Sequence, residues 1–410
     1  MSGKLLVPKI RFKEFTNAWE QEKLGNFGTS TGGSSIENFF NNNGKYKVIS
    51  IGSFSEDNTY NDQGLRIDYS PFIKDKILKK DNIVMILNDK SSEAKILGKA
   101  LLIEKDDEFV YNQRVQKIDI NKDRFLSKFI FTLLNSNSRE KITLLAQGNT
   151  QIYVNWSSIS SIEYLIPNLE EQSQISSLFS HLDSLITLHQ RKLSSLKNLK
   201  NRLLDKMFCD EKSQFPSIRF KEFTNAWEQW KARGILLPYR QKNDKNLTLI
   251  SYSVSNKEGF VDQKEFFDEG GKAVYADKKN SLIISFDTFA YNPSRINVGS
   301  IALFKNTING LVSPIYEVFK VSANSNPDFI YLWFKSECFN KIVANNSNKS
   351  VRDTLNLKQF EDNLLNLPVL QEQNKIAKLF SSLDSLITLH QRKLNSLKNI
   401  KNTLLEKMFV

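Results

Sequence analysis

The stretch Leu182-Asp183-Ser184-Leu185-Ile186-Thr187-Leu188-His189-Gln190-Arg191-Lys192-Leu193 occurs twice: the same twelve residues stand at positions 383–394, 201 residues on. The identity lies inside a longer likeness of 167–208 to 368–409, which amphipathic patterning alone does not produce, so the chain contains a duplication. In the first copy Ile175, Phe179, Leu182, Ile186, His189, Leu193, Leu196, Lys200, Leu203 and Met207 fall on one seam, spaced alternately four and three. Eight of these ten are apolar, where a chain that is 40% hydrophobic would place about four, so the heptad is genuine. The second copy repeats it through Ile376, Phe380, Leu383, Ile387, His390, Leu394, Leu397, Lys401, Leu404 and Met408. Each helix needs a partner.

The other copy is the expected partner, and the lysines favour a direction. A parallel, in-register pair would oppose Lys200 to Lys401; an antiparallel pair separates them and brings Phe208 near Val369, so that the region between can close on itself. The other course open is that each helix packs on its own domain and the heptad is ordinary core.

A second repeat precedes each globular region. Ile10-Arg11-Phe12-Lys13-Glu14-Phe15-Thr16-Asn17-Ala18-Trp19 returns at 218–227, an offset of 208. The chain is therefore segment, domain, helix, then segment, domain, helix, with heads at 20–166 and 228–367 whose sequences differ while their frames match. A duplicated scaffold carrying two dissimilar heads suits the holding of two different things at a fixed separation.

At 410 residues the chain can bury the cores of two or three domains, and its formal net charge of +12 suits a polyanionic partner. Cys209 and Cys338 match no zinc or redox spacing and read as reduced thiols. No apolar run approaches the ~18 residues of a membrane span, so the expected location is the cytoplasm, with no membrane partner.

Within the heads, Ile83-Val84-Met85-Ile86-Leu87 and Leu282-Ile283-Ile284-Ser285-Phe286 read as buried strands, with helices later, near 125–135 and 327–340. This predicts an α+β class. Polar loops lie between: 29–45, with Thr29, Ser30, Asn42 and Lys45; 147–151, with Gln147, Asn149 and Gln151; 240–246, with Arg240 and Lys242; and 345–352, with Asn348, Lys349 and Arg352. Asn292 and Arg295 join them as candidates. Such loops are usually only solvated connections, but Asn, Gln, Arg and Lys can contact base edges or phosphates, and recognition tends to sit on loops held by a rigid head.

Material for catalysis is sparse. His181, His189 and His390 all lie on the long helices, the latter two as polar seam residues rather than ligands. Asp81 with Glu93-Ala94-Lys95 loosely matches the Asp…Glu-x-Lys pattern of metal-dependent nucleases, a spacing that arises easily by chance. Tyr291-Asn292-Pro293-Ser294 is like the Asn-Pro-Pro-Tyr loop of adenine methyltransferases but lacks its second proline and aromatic. No glycine-rich phosphate loop is present. Metal ligands and catalytic residues are therefore expected to be absent.

Each head ends in Pro167-x-x-x-Glu171-Gln172-x-x-Ile175 or Pro368-x-x-x-Glu372-Gln373-x-x-Ile376 and runs into a duplicated helix. This resembles the specificity subunit of type I restriction-modification enzymes over the whole chain, and Gln147-Gly148-Asn149-Thr150-Gln151 before Trp156 is similar to that family's Gly-Ser/Thr-Gln segment. The second head departs at Asn345-Asn346-Ser347-Asn348-Lys349, where that segment is missing. The resemblance implies target-recognition domains at 1–166 and 211–367, helical regions at 167–210 and 368–410, and two long antiparallel coiled-coil helices in a pseudo-two-fold arrangement. It further implies that each head reads half of a bipartite double-stranded DNA target while the helices set the gap. Two methyltransferase subunits and restriction/translocase subunits would do the chemistry, with S-adenosylmethionine, ATP and magnesium bound there and none on this chain. Two other classes remain: a nuclease using Asp81, Glu93 and Lys95, and a coiled-coil adaptor that binds only proteins.

Overall fold

The computed structural model describes residues 7–209, 213–266, 278–346 and 356–409. The chain divides into two compact units, Met1–Gln190 with Arg392–Val410, and Arg191–Gln391. Each unit holds one head, one half of the helix Leu169–Lys206 and one half of the helix Leu370–Lys407.

In the first unit the strand Glu20–Lys23 enters the head and pairs antiparallel with Glu163–Ile166, the strand that leaves it. Between them, a four-stranded antiparallel sheet runs in the order Gly28–Gly32, Val115–Ile120, Ile83–Ile86, Ala100–Leu102. The apolar run at 83–86 is an inner strand with all four residues buried, which is why it does not alternate in polarity. A three-stranded sheet, Arg66–Ile67, Tyr46–Ile49 and Phe109–Tyr111, contains one parallel pairing. The expected late helix is Ser127–Leu134. Its Phe129 joins Phe27, Phe125 and Tyr164 in a core that continues through Ile175, Phe179 and Leu182 on the long helix.

The second unit repeats the plan. Strand Glu228–Lys231 pairs with the exit strand Leu364–Leu367. One antiparallel sheet runs Leu236–Pro238, Glu317–Val321, Thr288–Tyr291, Ile301–Phe304, and another runs Gly259–Asp262, Ser251–Ser255, Gly310–Val312, Leu282–Ile284 with a parallel pairing in its middle. Helices Pro327–Trp333 and Glu337–Asn346 cover the core. The α+β class holds in both heads.

The first long helix begins where Asn168 accepts a hydrogen bond from the Glu171 backbone N–H at 2.9 Å, and both long helices carry acidic residues in the first turn and a lysine in the last, matching the helix dipole. In both helices all ten heptad positions are buried or half-buried. Pairing is antiparallel. In the first unit the start of one helix meets the end of the other: Phe409 packs on Phe179 at 6.0 Å, and Lys401 bridges to Asp183 at 2.5 Å. In the second unit the same pair recurs with the repeat offset, Lys200 to Asp384 at 2.5 Å. The seam lysines are thus each matched to a carboxylate across the pair. Ordinary core packing contributes too, since Ile376, Ala377 and Phe380 belong to the second head's core as Ile175 and Phe179 belong to the first.

Candidate nucleic-acid interface

The duplicated frames have a physical function. Arg11 grips the buried Glu171 through two bonds of 2.7 Å, and Trp19 Nε1 adds a third at 3.2 Å. Gln172 accepts from Leu126 N–H at 2.9 Å and donates to the carbonyls of Arg124 and Pro167. In the second unit Arg219 holds Glu372 through two bonds of 2.7 Å, while Gln373 accepts from Asn326 N–H and donates to Pro368 O, each at 2.9 Å. Bonding to the carboxylate raises the pKa of both arginines. The Glu-Gln pair is therefore a clip that fastens leading segment, head and helix into one piece, with Glu taking the segment and Gln the head. A further bond ties each segment to a helix end, Ile10 N–H to Lys407 O at 3.0 Å and Ile218 N–H to Lys206 O at 2.9 Å.

On this base the first head holds out a tight hairpin. Gln147 and Tyr153 exchange backbone bonds of 2.9 Å in both directions, and Gly148 at φ +94 closes the turn, where a Cβ would stand 2.2 Å from Gln151 O. The side chains of Gln147, Asn149 and Gln151 are all exposed. The hairpin docks on the residues that follow the inner strand, pairing Ile152 with Asp89 and Tyr153 with Asn88.

Two loops that the sequence does not read as recognition segments lie beside it. The turn at 90–97 is folded over Asp89, which accepts from Ser91 N–H at 2.9 Å and Ile96 N–H at 2.8 Å, and it is pinned by Arg139 to the carbonyls of Ala94 and Leu97. The loop at 55–61 is held to it by Lys99, whose Nζ donates to Glu56 O at 2.5 Å and Asn58 Oδ1 at 2.6 Å. The signals were faint: a Lys-Ser-Ser run after an apolar strand, and one lysine inside an otherwise apolar segment.

The other candidates are dispersed. Thr29 and Ser30 lie on the edge strand of the four-stranded sheet, opposite Asp119 and Ile118. Asn42 and Lys45 are exposed at the turn before Tyr46–Ile49, with the Lys45 ammonium 4.9 Å from the Tyr46 ring. In the second head Arg240 lies half-exposed with Nη1 3.5 Å from Glu317, and Lys242 is exposed where it bridges to Leu282. Asn292 has a local task, its side chain accepting from Ser294 N–H at 3.0 Å to cap the turn Pro293–Val298, from which Arg295 is exposed. Asn348, Lys349 and Arg352 lie outside the described residues.

The nuclease pattern does not assemble. Asp81 precedes the inner strand and pairs with Lys122 at 2.9 Å, whereas Glu93 and Lys95 lie past the strand's other end and pair with each other at 2.7 Å. Among the described residues no group of three His, Cys, Asp or Glu side chains is placed to hold a metal, and no helix is long and apolar enough to cross a membrane.

The helices also present apolar side chains to solvent at repeat-equivalent positions. Leu185 and Leu386, Leu188 and Leu389, and Leu199 and Ile400 are all exposed. Each unit carries three of the six.

Comparison with known proteins fits this architecture. The family model for the type I restriction modification DNA specificity domain matches twice, over residues 17–198 and 224–399. The chain belongs to this family of DNA sequence-specificity proteins. A chain assigned as the MjaX type I restriction enzyme specificity subunit of Methanocaldococcus jannaschii is 22% identical over 356 residues, covering 83% of this chain and 81% of that one. The crystal structure of a type I restriction-modification S subunit from M. genitalium covers 98% of this chain and 99% of its own, with a TM-score of 0.61 at 18% identity. A chain from a structural study of assembly and conformational transition in the type I R-M system covers 94% and 96%, with a TM-score of 0.50 at 12% identity. At these identities the structural likeness establishes the fold.

Proposed function

We propose that this chain is the specificity subunit of a type I restriction-modification complex, in which each head reads one half of a bipartite DNA target and the paired helices set the gap and dock methyltransferase subunits. The observation that carries it is one clip built twice, Arg11–Glu171 and Arg219–Glu372, beneath heads whose loops differ. Mounts that share the arginine–glutamate pair but carry different tips would serve a target whose halves differ. Exposed lysines and arginines would anchor phosphates, and the Gln147–Gln151 hairpin would approach base edges. A helix of 38 residues at ~1.5 Å each is about 57 Å long, more than one ~34 Å turn of DNA, which is the length a spacer between half-sites needs. The apolar positions repeated on the helices fit two copies of one partner, hence two methyltransferase subunits.

This chain is read as non-catalytic. S-adenosylmethionine, ATP and magnesium would be bound by the methyltransferase and restriction/translocase partners, acting on DNA in the cytoplasm. The test is to map methylated bases in the native host with and without this chain, and to identify what co-purifies with it. A split motif methylated only in its presence, with a methyltransferase recovered, is the expected result. Cleavage of duplex DNA by the purified chain with magnesium alone would overturn the reading, as would DNA binding with no dependence on salt.

A further inference from the structure

Lys99 is a buried cation in a place where the other unit has a neutral residue. It follows Gly98, whose φ is +74, and leads into Ala100–Leu102, the end strand of the four-stranded sheet. Only 9% of it is exposed. Its ammonium reaches across to the loop at 55–61, donating to Glu56 O and to Asn58 Oδ1, while the same loop meets the 90–97 turn through Lys95 and Glu56 at 4.0 Å. Asn58 itself stands at φ +60, in the left-handed region that asparagine tolerates, so its side chain is presented to the lysine by the turn. Burial of a lysine is unfavourable unless its donors are satisfied, and here one holds a loop carbonyl and another a loop side chain.

The duplication supplies a control. The topological counterpart of Gly98-Lys99 is Gly299-Ser300, which likewise leads into the end strand of its head's four-stranded antiparallel sheet, Ile301–Phe304, with Gly299 at φ +75. Ser300 is 2% exposed and donates to Val254 O at 3.0 Å. Both heads therefore use a buried donor at one position to hold a neighbouring segment, but only the first uses one that titrates.

We propose that Lys99 is the positioning residue of a recognition loop in the first head, its ammonium fixing residues 55–59 so that, with the 90–97 turn, they present a set arrangement to one half of the DNA target. This rests on the proposed function above. The loop shows Glu56, Asp57 and Thr59 to solvent, and carboxylates suit amino donors on base edges rather than phosphates.

The pH dependence separates this role from a merely structural one. Burial pushes Lys99 down to about 8 from the ordinary 10.5; Arg139 and Lys401 act the same way, and Asp57 and Glu56 oppose them. Because the folded state protonates this group less readily than the unfolded chain, the contribution of Lys99 to stability rises as pH climbs from about 8 to 10.5. The charged tether on the loop is lost over the lower part of that rise. Loop order and head stability should therefore move in opposite directions.

The experiment uses the full chain. Hydrogen-exchange protection is measured for the amides of Asn58, Ser55 and Asn61, which bond to Ser55 O, Thr59 O and Ser53 O. Protection should fall about tenfold in Lys99→Met at pH 7 and severalfold in the wild type between pH 7 and pH 9. Asn58→Gly, which removes one acceptor and keeps a residue that tolerates φ +60, should give a smaller fall. In the host, Lys99→Met should relax methylation at one half-site only, while the half read through the Ser300 head stays strict. Unchanged loop protection in both variants would overturn the anchor, and so would a loosened loop with both half-sites read as stringently as before. If the wild-type chain directs no methylation, the proposed function fails, and hydrogen exchange still decides the anchor.

Discussion

At the scale of single residues, the clip between segment and helix determines whether each unit holds together. Glu171 is 1% exposed and Glu372 fully buried, so each carboxylate depends on its arginine. Removing one partner of a buried pair leaves a charge uncompensated, at about 3–5 kcal/mol. Arg11→Ala should therefore destabilise the first unit by that order, measured by denaturant unfolding, and Arg219→Ala the second; a loss below about 1 kcal/mol in both would show that the clip is ornamental. The two repeats that hold Arg11 and Glu171 are visible in the sequence, but their pairing is not, because the residues stand 160 positions apart and neither repeat points to the other. Asn292 shows the opposite case. Its place beside a proline makes it a site candidate in the sequence, and the structure gives its side chain the cap of a short turn.

Among the elements, the long helices were the most legible part of the chain, since a 38-residue heptad imposes its own periodicity and needs no distant information. Their direction was legible for a reason that was only half complete. Like charges disfavour the parallel pair, as the sequence implies, but the antiparallel pair also supplies Asp183 to Lys401 and Asp384 to Lys200, which the heptad alone does not show. These bridges are partly exposed, so each is worth at most about 1 kcal/mol. Lys401→Asp should lower stability by several tenths of a kcal/mol or more, and adding Asp183→Lys should recover most of it in a double-mutant cycle. No coupling between the two positions would argue against this register. The loops were the least legible elements. The hairpin at 147–153 announces itself through glycine and polar residues, whereas the turn at 90–97 and the loop at 55–61 acquire meaning only from Asp89, Lys99 and Arg139, which lie in or beside apolar segments.

At the scale of the whole molecule, the order segment, head, helix, repeated once, is what the duplication announces and what the family match covers twice. The frames are alike because they do the same mechanical work, and under the proposed function the heads differ because each would read its own half of the target. That division of labour is the central claim, and replacing one head tests it most directly. Residues 20–166 are exchanged for the corresponding head of a relative, keeping Arg11, Trp19, Glu171 and Gln172 so that the clip re-forms, and methylated bases are mapped across the host genome. The expected result is a split motif in which one half changes while the other half and the gap stay as they were. A motif in which both halves change together, or in which neither changes although the exchanged chain is folded and active, would contradict it.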